Sequence, residues 1–172
     1  MILIIFGLPA TGKTYLSKRA AEEFHAVHLD TDIIRKNINL QDRYDAHSKQ
    51  LVYNQMMTEM VHHIQNRQHV ILEGTFQKEE HRRQFLLKAR ELNQEILFIE
   101  LRAKEETIKE RMKSTRKHSH ADFNVYRNIK RTFDYPQEPH LILWTDENDA
   151  TQLIQQLKTY LHGQRANSYN ER

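Results

Sequence analysis

Residues 7–14 read GLPATGKT and follow directly on the apolar run MILIIF. Few stretches restrict a chain as tightly. The eight residues fit the phosphate-binding pattern G-x-x-x-x-G-K-[ST], with Gly7, Gly12, Lys13 and Thr14 at the fixed places. Gly7 and Gly12 let the backbone turn so that successive N–H groups point inward at phosphate oxygens. The loop between them runs through Pro9, Ala10 and Thr11 and wraps the same anion. Lys13 reaches the β- and γ-phosphates, and the Thr14 hydroxyl is suited to ligate Mg²⁺. Tyr15 opens a predicted helix over Tyr15 to Glu23, whose N-terminal dipole faces the phosphates. The six apolar residues before the loop suit a buried parallel strand. Strand, loop and helix therefore occur in the required order, and the chain is expected to bind a nucleoside triphosphate, taken as ATP with Mg²⁺.

Composition excludes several alternatives. With 172 residues and no cysteine, the chain suits one domain with neither a disulfide framework nor a thiolate metal site. The opening apolar run lacks a basic leader and is cut by Gly7, Pro9 and Lys13, so neither a signal peptide nor a membrane span is expected. A soluble cytoplasmic protein is the expectation. Net charge is only +3, yet Lys109 to Arg131 holds eight Lys/Arg against two Asp/Glu. Positive charge is thus gathered in one segment instead of coating the surface.

Further along, short apolar runs end repeatedly in polar residues. Ala26 to Leu29 leads into Asp30-Thr31-Asp32-Ile33-Ile34-Arg35, and His69 to Leu72 into Glu73-Gly74-Thr75-Phe76. In a doubly wound sheet ligands sit beyond the carboxyl ends of the strands, which would put both clusters beside the phosphate loop. Asp32 can take a proton from an attacking hydroxyl, while Asp30 and Glu73 can organise Mg²⁺ or its waters. Arg35, a helical turn past Asp32, can hold an anionic group of the acceptor, and Thr75 can touch it. Asp30 or Thr31 can also cap the following helix. His81, Arg82 and Arg83 open a helix over Glu79 to Leu92, from which Arg83 is the candidate facing substrate. Two more strands are predicted at Glu95 to Leu101 and His140 to Trp144, with Thr145 and Asp146 after the last as a wall for the nucleoside base. Between them, a helix over Glu105 to Met112 delivers Arg111, followed by a basic stretch with Arg116. A flexible basic segment here can close as a lid and bring arginines to the transferring phosphoryl group. The expected domain is residues 1–163, with the lid at about 111–121, a final helix ended by Gly163 and a disordered tail over 164–172.

Taken together, GLPATGKT, DTDIIR, EGTF and the arginines after the fourth strand resemble the small P-loop kinases. That group includes polynucleotide 5′-hydroxyl kinases, adenylylsulfate kinase, gluconate kinase and zeta-toxin-like kinases. The resemblance is greatest to the predicted kinases of the AAA_33-type P-loop group, where a segment like His118 to Leu143 follows the lid. It implies an α/β three-layer sandwich with a five-stranded parallel sheet ordered 2-3-1-4-5 and helices on both faces. It also implies Asp32 as the carboxylate that activates the acceptor hydroxyl, Arg35 as the arginine gripping an acceptor phosphate, and Arg116, supported by Arg111, as the lid arginine. Glu73 stands where polynucleotide kinases often carry Asp, and His120 where the predicted kinases often carry an acid. The catalytic set expected is Lys13, Asp32 and Arg116.

Two function classes compete on this sequence. The first is a kinase moving the γ-phosphoryl of ATP to a hydroxyl, with a nucleic-acid 5′ end as the leading acceptor and a small phosphorylated or anionic metabolite as the alternative. The second is a slow ATPase switch acting through a partner. Asp32 and Arg35 favour the kinase, because a switch needs no acceptor site.

Overall fold

A computed structural model describes the backbone of residues 1–115 and 119–170, with side chains for 1–113 and 123–164. Five strands form one sheet: β1 (Ile2–Phe6), β2 (Ala26–Asp30), β3 (His69–Gly74), β4 (Ile96–Arg102) and β5 (Leu141–Trp144). All pairings are parallel and the spatial order is β2-β3-β1-β4-β5, as the resemblance implies. The helices are α1 (Lys13–Phe24), α2 (Thr31–Asn37), α3 (Ala46–Gln65), α4 (Glu79–Glu91), α5 (Glu105–Thr115), α6 (Ser119–Arg131) and α7 (Ala150–Asn170).

The period of two along β1 divides the core. Ile2, Ile4 and Phe6 face one way, onto Val52, Met56 and Met60 of α3 and Phe85 and Ala89 of α4. Leu3 and Ile5 face the other way, onto Leu16 and Ala20 of α1 and Leu153, Leu157 and Leu161 of α7. Every residue of β1 is sealed from solvent, which is why this strand reads as an unbroken apolar run. Because all five strands run in parallel, their carboxyl ends share one edge of the sheet, and the polar clusters gather there.

Several boundaries differ from expectation. Helix α1 starts at Lys13, so Lys13 and Thr14 belong to its first turn. Glu73 is a strand residue in register with Asp30 of β2, and the sheet pairing fixes its position. The basic stretch expected as a flexible lid is largely helical, within α5 and the start of α6, and residues 116–118 lie outside the described residues. Gly163 does not end α7, which continues through it to Asn170 in place of the expected disordered tail. Gly163 does not take the left-handed conformation of a helix stop, and no proline follows it, so its effect is the smaller entropic cost of glycine inside a helix. No helix among the described residues is long and apolar enough to cross a membrane.

Candidate functional site

The loop after β1 owes its path to its glycines. Gly7 has φ 142°, and a Cβ there would lie 2.4 Å from the Leu101 carbonyl oxygen, a contact with fixed backbone that no side chain tolerates. Gly12, at φ 89°, is the residue preceding α1 and turns the chain into the helix. Inside the loop Thr11 is buried and its hydroxyl donates to the Leu8 carbonyl at 2.8 Å. Lys13 Nζ donates to the same carbonyl at 2.8 Å, folding the lysine back over the loop. Pro9 and Ala10 are half-buried, and Ala10 sits at φ 62°.

The far side of the loop is latched to β5. Thr145 Oγ1 donates to the Thr11 carbonyl at 2.8 Å. Arg111 of α5 donates to Thr145 Oγ1 and to its carbonyl, each at 2.9 Å, and to the Ala10 carbonyl at 3.2 Å. Arg111 thus bridges the loop to the turn after β5. Tyr15 instead lies largely exposed on α1, with the Arg19 guanidinium 4.9 Å from its ring centre.

On the near side, the charges of Glu73 at the end of β3, Asp30 at the end of β2 and Asp32 in the first turn of α2 act on Lys13. Thr14 Oγ1 donates to Glu73 Oε1 at 2.5 Å, and His28 Nε2 lies 2.7 Å from Glu73 Oε2. The ligand atoms of His28, Asp30 and Glu73 all lie within 4.8 Å of one another. Asp30 caps α2 by accepting from Asp32 N at 2.7 Å. Burial, and then the neighbouring Glu73 charge, hold the Asp30 carboxyl above its ordinary range. Burial lowers Lys13 to about 8, against the opposing pull of Glu73, Asp32 and Asp30. The residues present fit Mg²⁺. Thr14, Asp30 and Glu73 offer hard oxygen ligands, and two crowded carboxylates favour a cation between them. His28 is the member that the sequence reading missed. Its signal is the period of two on β2, which puts residues 28 and 30 on one face beside the end of β3.

Asp32 stands exposed in the first turn of α2, and its charge acts on both Lys13 and Tyr53. Arg35, three residues on, is buried. Its Nη1 donates to the Arg43 carbonyl at 2.5 Å and its guanidinium stacks over Tyr44 at 4.7 Å. Thr75 is half-buried just beyond β3. Arg83 lies exposed on α4, because His81, Arg82, Phe85 and Ala89 form the inward face of the helix. Arg82 is the buried neighbour, donating to the Phe76 carbonyl at 2.7 Å and the Asp134 carbonyl at 2.6 Å. Arg116 lies outside the described residues, as does His118, and nothing is described of the His120 side chain.

Comparison with known proteins bears on the fold. The AAA_33 family model, described as an AAA domain, matches residues 2–136. The fold is similar to that of a gluconokinase from Sinorhizobium meliloti 1021, with a TM-score of 0.78 at 14% identity over 98% of this chain and 95% of that one. A sugar kinase from Janibacter sp. HTCC2649 gives 0.72 at 19% identity, covering 94% of each chain. The APS kinase of Mycobacterium tuberculosis in complex with AMPPNP and APS gives 0.74 at 14% identity, over 94% of this chain and 96% of that one. No curated protein matches the sequence.

Proposed function

Because the chain belongs to the AAA_33 family, we propose that it is an ATP-dependent kinase that phosphorylates a hydroxyl of a small anionic metabolite. The observation that carries this reading is an intact phosphate loop opposed by an exposed carboxylate, Asp32, with the buried cation Arg35 a helical turn behind it. The acceptor oxygen attacks the γ-phosphorus, its proton passes to Asp32, and the bridging oxygen leaves with ADP. Lys13 exchanges the Leu8 carbonyl for phosphate oxygens and, with the loop N–H groups, binds the triphosphate. Thr14, Asp30 and Glu73 would hold Mg²⁺, which supplies neutralisation of the charge on the β- and γ-oxygens. Arg111 braces the loop from the β5 side. Arg116 is assigned to the equatorial oxygens of the transferring group.

The expectation of a nucleic-acid 5′-hydroxyl acceptor is not supported. The similar structures are a gluconokinase, a sugar kinase and an APS kinase, all acting on small molecules, and the metabolite alternative fits them better. Part of the basic segment is also engaged within the fold. Lys130 pairs with Glu105 at 2.6 Å, Lys109 sits 5.5 Å from the centre of the Phe123 ring, and Arg111 is held on the loop.

Labelled ATP offered with a panel of neutral, carboxylated and phosphorylated alcohols tests the proposal. Acceptor-dependent ADP release well above the water-only rate is expected for at least one anionic alcohol. A rate no better than water with every acceptor would refute it.

A further inference from the structure

His28 brings a ring nitrogen to the carboxylates at the strand ends, and the proposed reaction leaves that nitrogen unused. The period of two along β2 sets His28 and Asp30 on one face, and the register of β2 with β3 sets Glu73 level with Asp30. Glu73 divides its two oxygens. Its Oε1 accepts from the Thr14 hydroxyl at 2.5 Å, and its Oε2 lies 2.7 Å from His28 Nε2. One donor atom from each of His28, Asp30 and Glu73 falls within 4.8 Å of the other two. Two atoms bound to one ion at about 2.1 Å lie about 3 Å apart at right angles and about 4.2 Å apart when opposed. The widest separation therefore needs to shrink by at most about 0.6 Å for the three to share an ion.

The two carboxylates are short of directly paired positive charge. Asp30 and Glu73 are both buried, yet among the described residues neither makes an ion pair with a lysine or arginine. Lys13 stands nearby, but its ammonium is turned onto the Leu8 carbonyl at 2.8 Å. As a hydrogen-bond donor, His28 offsets Glu73 alone. As a ligand, it shares a cation that offsets Asp30 as well, and buried like charges gain most from such an ion. The ring is free to act in this way. Its Nδ1 makes no hydrogen bond among the described residues, so the proton can sit there and leave Nε2 as a lone pair. The His28 side chain is 13% exposed, which leaves an ion a way in. One imidazole with two carboxylates is not an all-oxygen set. Mg²⁺ prefers oxygen and keeps its waters, whereas an imidazole nitrogen suits first-row transition ions.

We propose that His28 Nε2 is a direct ligand of a cation shared with Asp30 and Glu73, so that this centre takes Mn²⁺ or Co²⁺ ahead of Mg²⁺. That the ion serves the nucleotide rests on the kinase reading; the donor set stands on its own geometry.

The test begins with the metal alone. Mn²⁺, Co²⁺ and Mg²⁺ are titrated by calorimetry into the full chain without nucleotide. The Mn²⁺ form is then measured by electron spin-echo modulation, which detects a nitrogen bound to the ion. Wild type is expected to show the modulation of an imidazole nitrogen, altered by ¹⁵N-histidine labelling, and to bind Mn²⁺ and Co²⁺ more tightly than Mg²⁺. His28→Gln keeps an amide donor for Glu73 but offers no nitrogen lone pair. It should lose the modulation and bind Mn²⁺ about tenfold more weakly, with Mg²⁺ affinity changed by less than about twofold. AMPPNP with Mg²⁺ is titrated separately, and its failure to bind would overturn the nucleotide reading without touching the metal measurement. The proposal is overturned if wild type shows no nitrogen modulation, which needs no variant to fold, or if His28→Gln retains it. Equal weakening of Mg²⁺ and Mn²⁺ in His28→Gln would also overturn it, because a histidine that only orients Glu73 affects both ions alike.

Discussion

Raising the pH of the nucleotide-free protein to 9 should strip the proton from Lys13 before the ordinary surface lysines lose theirs. Burial holds Lys13 at about 8, even though Glu73, Asp32 and Asp30 all favour its charged form. At pH 9 such a group is charged in only about one molecule in ten, against nearly all for an ordinary lysine. A triphosphate in the loop adds several negative charges beside the ammonium and restores the proton. Nucleotide binding at pH 9 should therefore take up roughly 0.9 proton per site, falling to roughly 0.1 at pH 7. Calorimetry in two buffers of different ionisation enthalpy reads this number directly. Lys13→Arg is the control, because its guanidinium is charged in both states and contributes no uptake. The same desolvation predicts a stability effect of definite sign. Between about 8 and the ordinary 10.5, the unfolded chain holds a proton that the folded chain has released, so stability rises with pH across that window. The gain is at most about 3 kcal/mol, and urea titrations of Lys13→Met should lack it. Wild-type uptake below roughly 0.2 proton at pH 9, or a pH–stability curve identical to that of Lys13→Met, would refute the reasoning.

Asp32→Asn should lower the rate of acceptor-dependent ADP release by about 10²- to 10⁴-fold while MgATP affinity changes little; a collapse in affinity would move Asp32 into the metal shell. Gly7→Ala should destabilise the fold by about 2–4 kcal/mol in urea, because its Cβ meets the Leu101 carbonyl and its φ is unfavourable. Unchanged melting would show that the loop does not lie against β4. Asp30→Asn keeps the α2 cap, since Asn caps as well as Asp. In wild type the folded Asp30 keeps its proton to higher pH than the unfolded one, so stability falls as pH rises above its ordinary 3.8 toward the raised folded value. Asp30→Asn should lack that fall, be at least as stable at neutral pH and need more Mg²⁺ for turnover; lower stability in urea would contradict the crowding of Asp30 and Glu73.

Much of the fold was legible in the chain because its signals are local. The apolar run, the phosphate loop and the helix after it are contiguous, so MILIIF and GLPATGKT define strand, turn and helix with no information from elsewhere. Alternation along β1 gives two core faces, and Asp30 followed by Thr31 and Asp32 supplies its own helix cap. Strand order was not local. It came from the likeness to small P-loop kinases, and the parallel pairings agree with it.

Relations between distant segments belonged to the tertiary structure. Glu73 read as a loop carboxylate, yet pairing of β2 with β3 sets it beside Asp30 and gives it His28 as a partner 45 residues away. Either Arg82 or Arg83 satisfied the sequence as a substrate contact. The phase of α4, fixed by burying Phe85 and Ala89, turned Arg82 inward and left Arg83 in solvent. Gly163 carried the residue type of a helix stop, but type alone does not impose the left-handed turn that ends a helix, and α7 runs on through it. Sequence determined what is built from neighbouring residues, where backbone conformation and side-chain period suffice. Tertiary structure decided which charges meet, because that depends on how whole elements rotate to bury their apolar faces.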